Sequence, residues 1–112
     1  AFGAELTLVA VNELVGAVGR TGAASYLWED ADLKRVLDHA VDQAKAAGIP
    51  EPKASGLKSR DVARAITIYA EEIGADHIVV GTGGKGSISR LMLGSVSRDV
   101  VFRAHCSVTV AR

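Results

Sequence analysis

Apolar and polar positions alternate along this chain in blocks, first at strand spacing and then at helix spacing. Leu6-Thr-Leu-Val-Ala-Val11 is an almost unbroken β-prone run, the pattern of a strand buried on both faces of a parallel sheet. Val15 to Ser25 carries Gly16, Gly19 and Gly22 among small residues and is expected to be a loop, a flap over whatever the strand ends present. From Glu29 the spacing changes to Leu33, Val36, Leu37, Ala40, Val41 and Ala44, a stripe that predicts a helix opened by Asp30 and Asp32 and closed by Gly48 and Pro50. Pro52 to Gly56 is a short strand candidate, and its proline places it at a sheet edge. Ser59 is the expected cap of a second helix with Val62, Ala65, Ile66, Tyr69, Ala70 and Ile73 on its buried face and Gly74 as its left-handed terminator. His77 to Val80 is a strand, Val96, Val100, Val101 and Ala104 mark a last helix, and Ser107 to Ala111 is a last strand. The order β-α-β-α-β-α-β predicts an α/β fold: a parallel sheet with helices on both faces and ligands beyond the carboxyl ends of the strands.

A glycine-rich stretch leaves from one such end. Val79 to Ser97 reads Val-Val-Gly-Thr-Gly-Gly-Lys-Gly-Ser-Ile-Ser-Arg-Leu-Met-Leu-Gly-Ser-Val-Ser. Glycines let backbone approach an anion, and a helix start aims unpaired N–H groups at it. Three phosphate motifs compete for these residues. A Walker A loop fails, because Lys85 is followed by Gly86 and position 79 is valine. Gly81-Thr-Gly83-Gly-Lys-Gly86 satisfies the dinucleotide pattern Gly-x-Gly-x-x-Gly, but Asp99 falls in the following helix instead of at a second strand end. The third pattern, Gly-x2-Gly-x9-Gly-Ser, is met by Gly81, Gly84, Gly94 and Ser95. Its first half bends the chain beneath the phosphates, and Gly94-Ser95-Val96-Ser97 opens a helix whose amides and hydroxyls hold them. Ile88, Leu91, Met92 and Leu93 in the spacer pack beneath as a helical turn.

With that spacing, with Gly3-Ala-Glu-Leu-Thr-Leu-Val, with Tyr69-Ala-Glu-Glu-Ile-Gly-Ala-Asp-His-Ile-Val-Val-Gly-Thr and with the ending His105-Cys106-Ser-Val-Thr-Val, the chain resembles the universal stress protein family. The resemblance covers essentially the whole chain as one domain, residues 1–112, and implies a Rossmann-like fold of the adenine nucleotide alpha hydrolase kind. It further implies membership of the ATP-binding subgroup, with Gly81, Thr82, Gly84, Gly94, Ser95, Val96 and Ser97 at the phosphates and ribose, Val80 beside them and Val11 lining the adenine pocket. Gly83 stands where many relatives carry a larger residue. The implied function is that of a stress-associated regulatory protein that binds ATP, or AMP or ADP, with Mg²⁺ as a candidate companion ion. A homodimer through the last strand, Ser107 to Ala111, is implied as well.

Family members begin with a strand ending in an Ala-Val-Asp-Gly-Ser-like segment and a helix, neither of which precedes Leu6 here. That strand is the central one of a sheet ordered 3-2-1-4-5, so the expectation is a sheet split in two. Ala1-Phe2-Gly3 looks like a helix end, which favours a longer native chain over strand insertion by a partner or a swapped dimer.

Composition narrows the reading further. Lys plus Arg and Asp plus Glu are 13 each, so no global field favours nucleic acid or an anionic membrane, and anion binding must be local. The apolar runs are far too short to cross a bilayer, and a single Cys106 forms no internal disulfide, which together point to a soluble cytoplasmic protein. Lys85 and Arg90 are secondary candidates for neutralising phosphate. His39 reads as a surface residue, His77 and His105 as local hydrogen-bonding groups, Cys106 as a small core residue, and Tyr26 and Trp28 as anchors of the helix that follows them, with covering a base the sharper alternative. No nucleophile, paired-carboxylate or zinc constellation can be assembled, so the chain reads as a binder before an enzyme. The rivals are a dimeric structural module that binds no nucleotide and a slow ATPase.

Overall fold

The computed structural model describes residues 4–16, 24–26, 28–81 and 95–111. Among these, the elements are β1 (Thr7–Gly16), β2 (Ala24–Tyr26), α1 (Asp30–Ala46), β3 (Lys53–Ser59), α2 (Val62–Glu72), β4 (His77–Gly81), α3 (Ser95–Arg103) and β5 (Ser107–Ala111). The described strands form two sheets, one ordered β2-β1-β3 and one ordered β4-β5. The chain divides correspondingly into two units, residues 1–60 and residues 61–112.

In the first unit β1 and β3 run parallel from Thr7 opposite Lys53 to Glu13 opposite Ser59. β3 lies at the edge of this sheet, starts one residue after Pro52, and continues three residues past Gly56. Gly56 is where α1 comes closest: a Cβ there would stand 2.9 Å from Leu33 Cδ2 and 3.4 Å from Leu37 Cδ1, so the missing side chain is what admits the buried Leu33. α1 ends in a Schellman motif, with Gly48 at φ 101° and the N–H groups of Gly48 and Ile49 donating to the carbonyls of Lys45 and Ala44.

The expected flap is corrected in part. Val15 and Gly16 belong to β1, and Ala24 to Tyr26 form β2, antiparallel to it with Leu14 opposite Tyr26 and Gly16 opposite Ala24. Residues 17–23, with Gly19 and Gly22, lie outside the described residues. The β-prone run ends the predicted strand at Val11, whereas β1 continues through Asn12 to Gly16. In the structure Asn12 is buried at 1% exposure, and its amide supplies both hydrogen bonds that the backbone of Trp28 needs, so polarity does not end the strand.

In the second unit β4 and β5 are parallel, with His77 opposite Ser107 and Gly81 opposite Ala111. Ala63, Ala70, Ile78 and Val100 form its core, with Ile66, Ala75, Val80, Ala104, Cys106 and Val108 packed around them. Cys106 is thus the small core residue its sequence position suggested. α2 is capped by Asp61, not by Ser59. Ser59 is the last residue of β3, opposite Glu13, while the Asp61 carboxylate accepts from the N–H of Arg64 at 3.1 Å. The buried face of α2 is also rotated from the expected one: Ala63, Thr67 and Ala70 are buried and Ile73 is 46% exposed. Thr67 tolerates burial because its hydroxyl donates to the carbonyls of Ala63 and Arg64. Gly74 terminates α2 at φ 69° in a second Schellman motif, with Gly74 and Ala75 N–H groups donating to Glu71 and Ala70.

Arg103 donates to Asp61 at 2.9 Å, linking the last turn of α3 to the start of α2. That hydrogen bond first, and the one from Arg64 second, hold the Asp61 carboxyl below its usual range. A depressed carboxylate pKa stabilises the fold above the ordinary aspartate range, and the contribution disappears as pH falls through the lowered value. Asp61→Asn keeps a capping acceptor but removes the charge. It should lower stability slightly above the ordinary aspartate range, by an amount kept small because the pair is about half exposed, and converge with the wild type in acid, so that the acid limb of a stability-versus-pH curve measured by urea unfolding is flatter.

Candidate functional site

The residues that the sequence singled out for phosphate binding converge, where they are described, on one end of the second unit. Val80 and Gly81 are the last two residues of β4, and Ser95, Val96 and Ser97 are the first three of α3. These two segments are fastened together directly, for the Ser97 hydroxyl donates to the carbonyl oxygen of Gly81. Ser97 is 3% exposed and Val80 half-buried, whereas Gly81, Ser95 and Val96 are open to solvent. The first amides of a helix have no acceptor within it, so the Ser95 to Ser97 turn carries N–H groups that point out of the helix and the positive dipole end that favours an anion. The helix is held in place one turn later by Val100, which is fully buried against Ala63, Ala70 and Ile78.

Thr82, Gly84 and Gly94, together with Gly83, Lys85, Arg90 and the apolar spacer Ile88, Leu91, Met92 and Leu93, lie outside the described residues. Val11 belongs to the first unit, half-buried in β1 opposite Leu57. It precedes Asn12, whose side-chain amide donates to the Trp28 carbonyl at 2.6 Å and accepts from the Trp28 N–H at 2.9 Å. The sequence reading assigned Asn12 no role. Its signal was present nonetheless, as a single amide at the end of a run otherwise made of strand formers. Trp28 is tied at its backbone immediately before α1, consistent with an anchoring role. Around the same corner Lys58 pairs with Asp30 at 3.0 Å and lies 4.9 Å from the centre of the Tyr26 ring, which joins β3, α1 and β2 through one exposed side chain.

The histidines have conventional partners. His77 Nε2 and the Thr109 hydroxyl are 2.6 Å apart across the β4–β5 pair, and His105 Nε2 donates to the Ala75 carbonyl at 2.9 Å. His39 is exposed. Among the described residues no group of three or more His, Cys, Asp or Glu side chains is placed to hold a metal ion. No described helix is long and apolar enough to cross a membrane.

Residues 1–112 match the sequence profile of the universal stress protein family from end to end. The chain belongs to the universal stress protein family. Its relatives by sequence include a universal stress protein of Thermus aquaticus, 39% identical over 84 residues, which takes in 71% of this chain and 61% of that protein. A second, from Mycobacterium tuberculosis, is 35% identical over 86 residues, 75% of this chain and 29% of the relative. A third, from Methanocaldococcus jannaschii, is 46% identical over 50 residues, 45% of this chain. This universal stress protein chain therefore spans 29% of the length of the Methanocaldococcus and Mycobacterium relatives it matches. Among solved structures, a universal stress protein in complex with cAMP is similar at TM-score 0.69 and 27% identity over 97% of this chain and 74% of that one. The universal stress protein from Archaeoglobus fulgidus is similar at the same score and identity, over 98% of this chain and 73% of its own. These neighbours establish the Rossmann-like α/β fold that the strand and helix alternation predicted.

Proposed function

We propose that this universal stress protein is a regulatory adenine-nucleotide binder whose phosphate site is the Gly-x2-Gly-x9-Gly-Ser motif of Gly81, Gly84, Gly94 and Ser95. The observation that carries the reading is the union of the β4 end with the α3 start, Val80 and Gly81 beside Ser95, Val96 and Ser97, joined by the Ser97 to Gly81 hydrogen bond. A strand end beside a helix N-terminus is where an α/β sheet receives phosphate. The related protein bound to cAMP supports an adenine nucleotide as the ligand class. In this reading Thr82 completes the phosphate contacts, Val11 lines the adenine side, and the ligand is ATP, or AMP or ADP. Mg²⁺ enters only as a companion of the triphosphate, since no described cluster of side chains would hold it alone. A cytoplasmic homodimer joined through β5 belongs to the same proposal. Hydrolysis, where it occurs, is slow, because no group described here is dedicated to activating water.

Calorimetric titration of the chain with ATP, AMP and cAMP tests the site. Saturable ATP binding is expected, and a branched side chain at either motif glycine, Gly84→Val or Gly94→Val, should weaken it at least about 100-fold by closing the backbone approach to the phosphates. Undiminished binding in both variants would remove the site assignment. A dimeric chain that binds none of the three nucleotides would establish the structural-module alternative.

A further inference from the structure

The Ser97 side chain faces the protein, and that orientation divides the labour of the phosphate motif in a way its spacing does not reveal. A serine at the third position of a helix that receives phosphate is expected to offer its hydroxyl to the ligand. Here the residue is 3% exposed, and the hydroxyl proton is directed at the Gly81 carbonyl. Its backbone N–H, in the first turn of α3, has no acceptor within the helix. We infer that Ser97 is a positioning residue: its hydroxyl locks the start of α3 to the end of β4, and what it offers a nucleotide is main-chain N–H.

Beside the Arg103 to Asp61 pair at its last turn, two further attachments seat α3 on its unit, and they do different things. Val100, one turn beyond Ser97 on the same face, packs with Ile78 of β4 in the apolar core. Apolar contact holds the helix close but is non-directional, and tolerates sliding along the axis. The Ser97 to Gly81 hydrogen bond is directional and lies at the level of the motif, so it fixes the axial register of α3. Gly81 is itself held by β5 through its pairing with Ala111, which makes it a firm point of attachment. The hydrogen bond therefore sets the separation between Gly81 and the Ser95 to Ser97 turn before any ligand arrives, and preorganisation of this kind is gained as affinity.

The inference rests on the proposed nucleotide site, and the test separates the two. In the nucleotide-free chain, Ser97→Ala should move the Gly81 carbonyl carbon resonance upfield, the direction expected when a carbonyl loses its donor, and speed amide exchange in the first turn of α3. ATP affinity should fall about 3- to 10-fold, the equivalent of one neutral hydrogen bond. Ser97→Thr, which retains the hydroxyl, should restore both the resonance and the affinity. An affinity loss in Ser97→Ala with an unmoved Gly81 resonance would mean that the hydroxyl contacts the ligand directly, and would overturn the positioning role. A moved resonance with unchanged affinity would overturn it equally, leaving a purely structural tether. If the wild-type chain binds no nucleotide, the functional reading and the preorganisation built on it both fall, while the Gly81 resonance still decides whether the tether exists.

Discussion

Replacing Asn12 with leucine should destabilise the β1–β3 unit by about 2–4 kcal/mol, because the substitution strands the N–H and C=O of Trp28 together. Asn12 supplies a donor and an acceptor to the two backbone groups of one residue, at 2.6 and 2.9 Å, from a site only 1% exposed. A leucine of similar volume fills the space and returns neither bond. Water reaches part of Trp28, which is 40% exposed, and this keeps the loss below the full cost of two buried orphans. A lower urea midpoint at unchanged slope would register it, and a midpoint like that of the wild type would show that the paired bonds contribute nothing.

Asn12→Asp sharpens the same test by making it depend on pH. An ionised carboxylate keeps the acceptor for Trp28 N–H but turns a negative oxygen toward the Trp28 carbonyl, in a place with little water. Both effects favour the protonated acid, which can donate to that carbonyl, so the folded-state pKa is raised above the unfolded value. The sign follows from linkage: stability is fully present below the unfolded pKa and is lost as pH rises through the folded one. Asn12→Asp should therefore approach wild-type stability in acid and fall behind it toward neutrality. A pH-independent deficit would rule out the paired-bond account.

Val100→Ala is the second large effect, and it falls in the other unit. Val100 has no solvent exposure and sits among Ala63, Ala70 and Ile78, where small neighbours leave little that can collapse into the space. Removing its two methyl groups costs about 1.6 kcal/mol of transfer free energy and a further cavity contribution, for a total of about 2–3 kcal/mol. Val101→Ala, at a 43% exposed position beside it, should change stability by no more than about 0.5 kcal/mol. The pair is read by chemical denaturation. Equal losses at the two positions would contradict the placement of α3. Because α3 carries Ser95 to Ser97, Val100→Ala should also raise amide exchange throughout its first turn.

Several features were legible because they depend on chain-local physics. Leu33, Val36, Leu37, Ala40, Val41 and Ala44 recur at helical spacing, and α1 follows from that period alone; its end was written in Gly48, as that of α2 was in Gly74, since a left-handed residue is needed there and only glycine adopts it without strain. The separation of Gly81 and Gly84 from Gly94 and Ser95 pointed to the universal stress protein family, to which the chain belongs, while the phosphate role of those residues belongs to the proposal. The split into a β1-containing sheet and a β4–β5 sheet was likewise expected.

Features that depend on partners remote along the chain were read wrongly or missed. Asn12 carries no role in the sequence pattern, and its partner Trp28 lies sixteen positions away. Ser59 and Asp61 are both competent helix caps, and sheet pairing decided between them by taking Ser59 into β3. The buried face of α2 expected from Val62, Ala65, Ile66, Tyr69, Ala70 and Ile73 holds at Ala70, while packing also buries Ala63 and Thr67 and leaves Ile73 exposed. The direction of the Ser97 hydroxyl also depends on a remote partner. Residue type and spacing place a hydroxyl at the head of α3, but its direction is set by what lies within reach, and here that is the Gly81 carbonyl at the end of a strand. Periodicity and glycine placement are properties of a few consecutive residues and survive in the bare sequence. Hydrogen-bond partnership across sixteen residues, from Gly81 to Ser97 as from Asn12 to Trp28, exists only once the chain has folded back on itself.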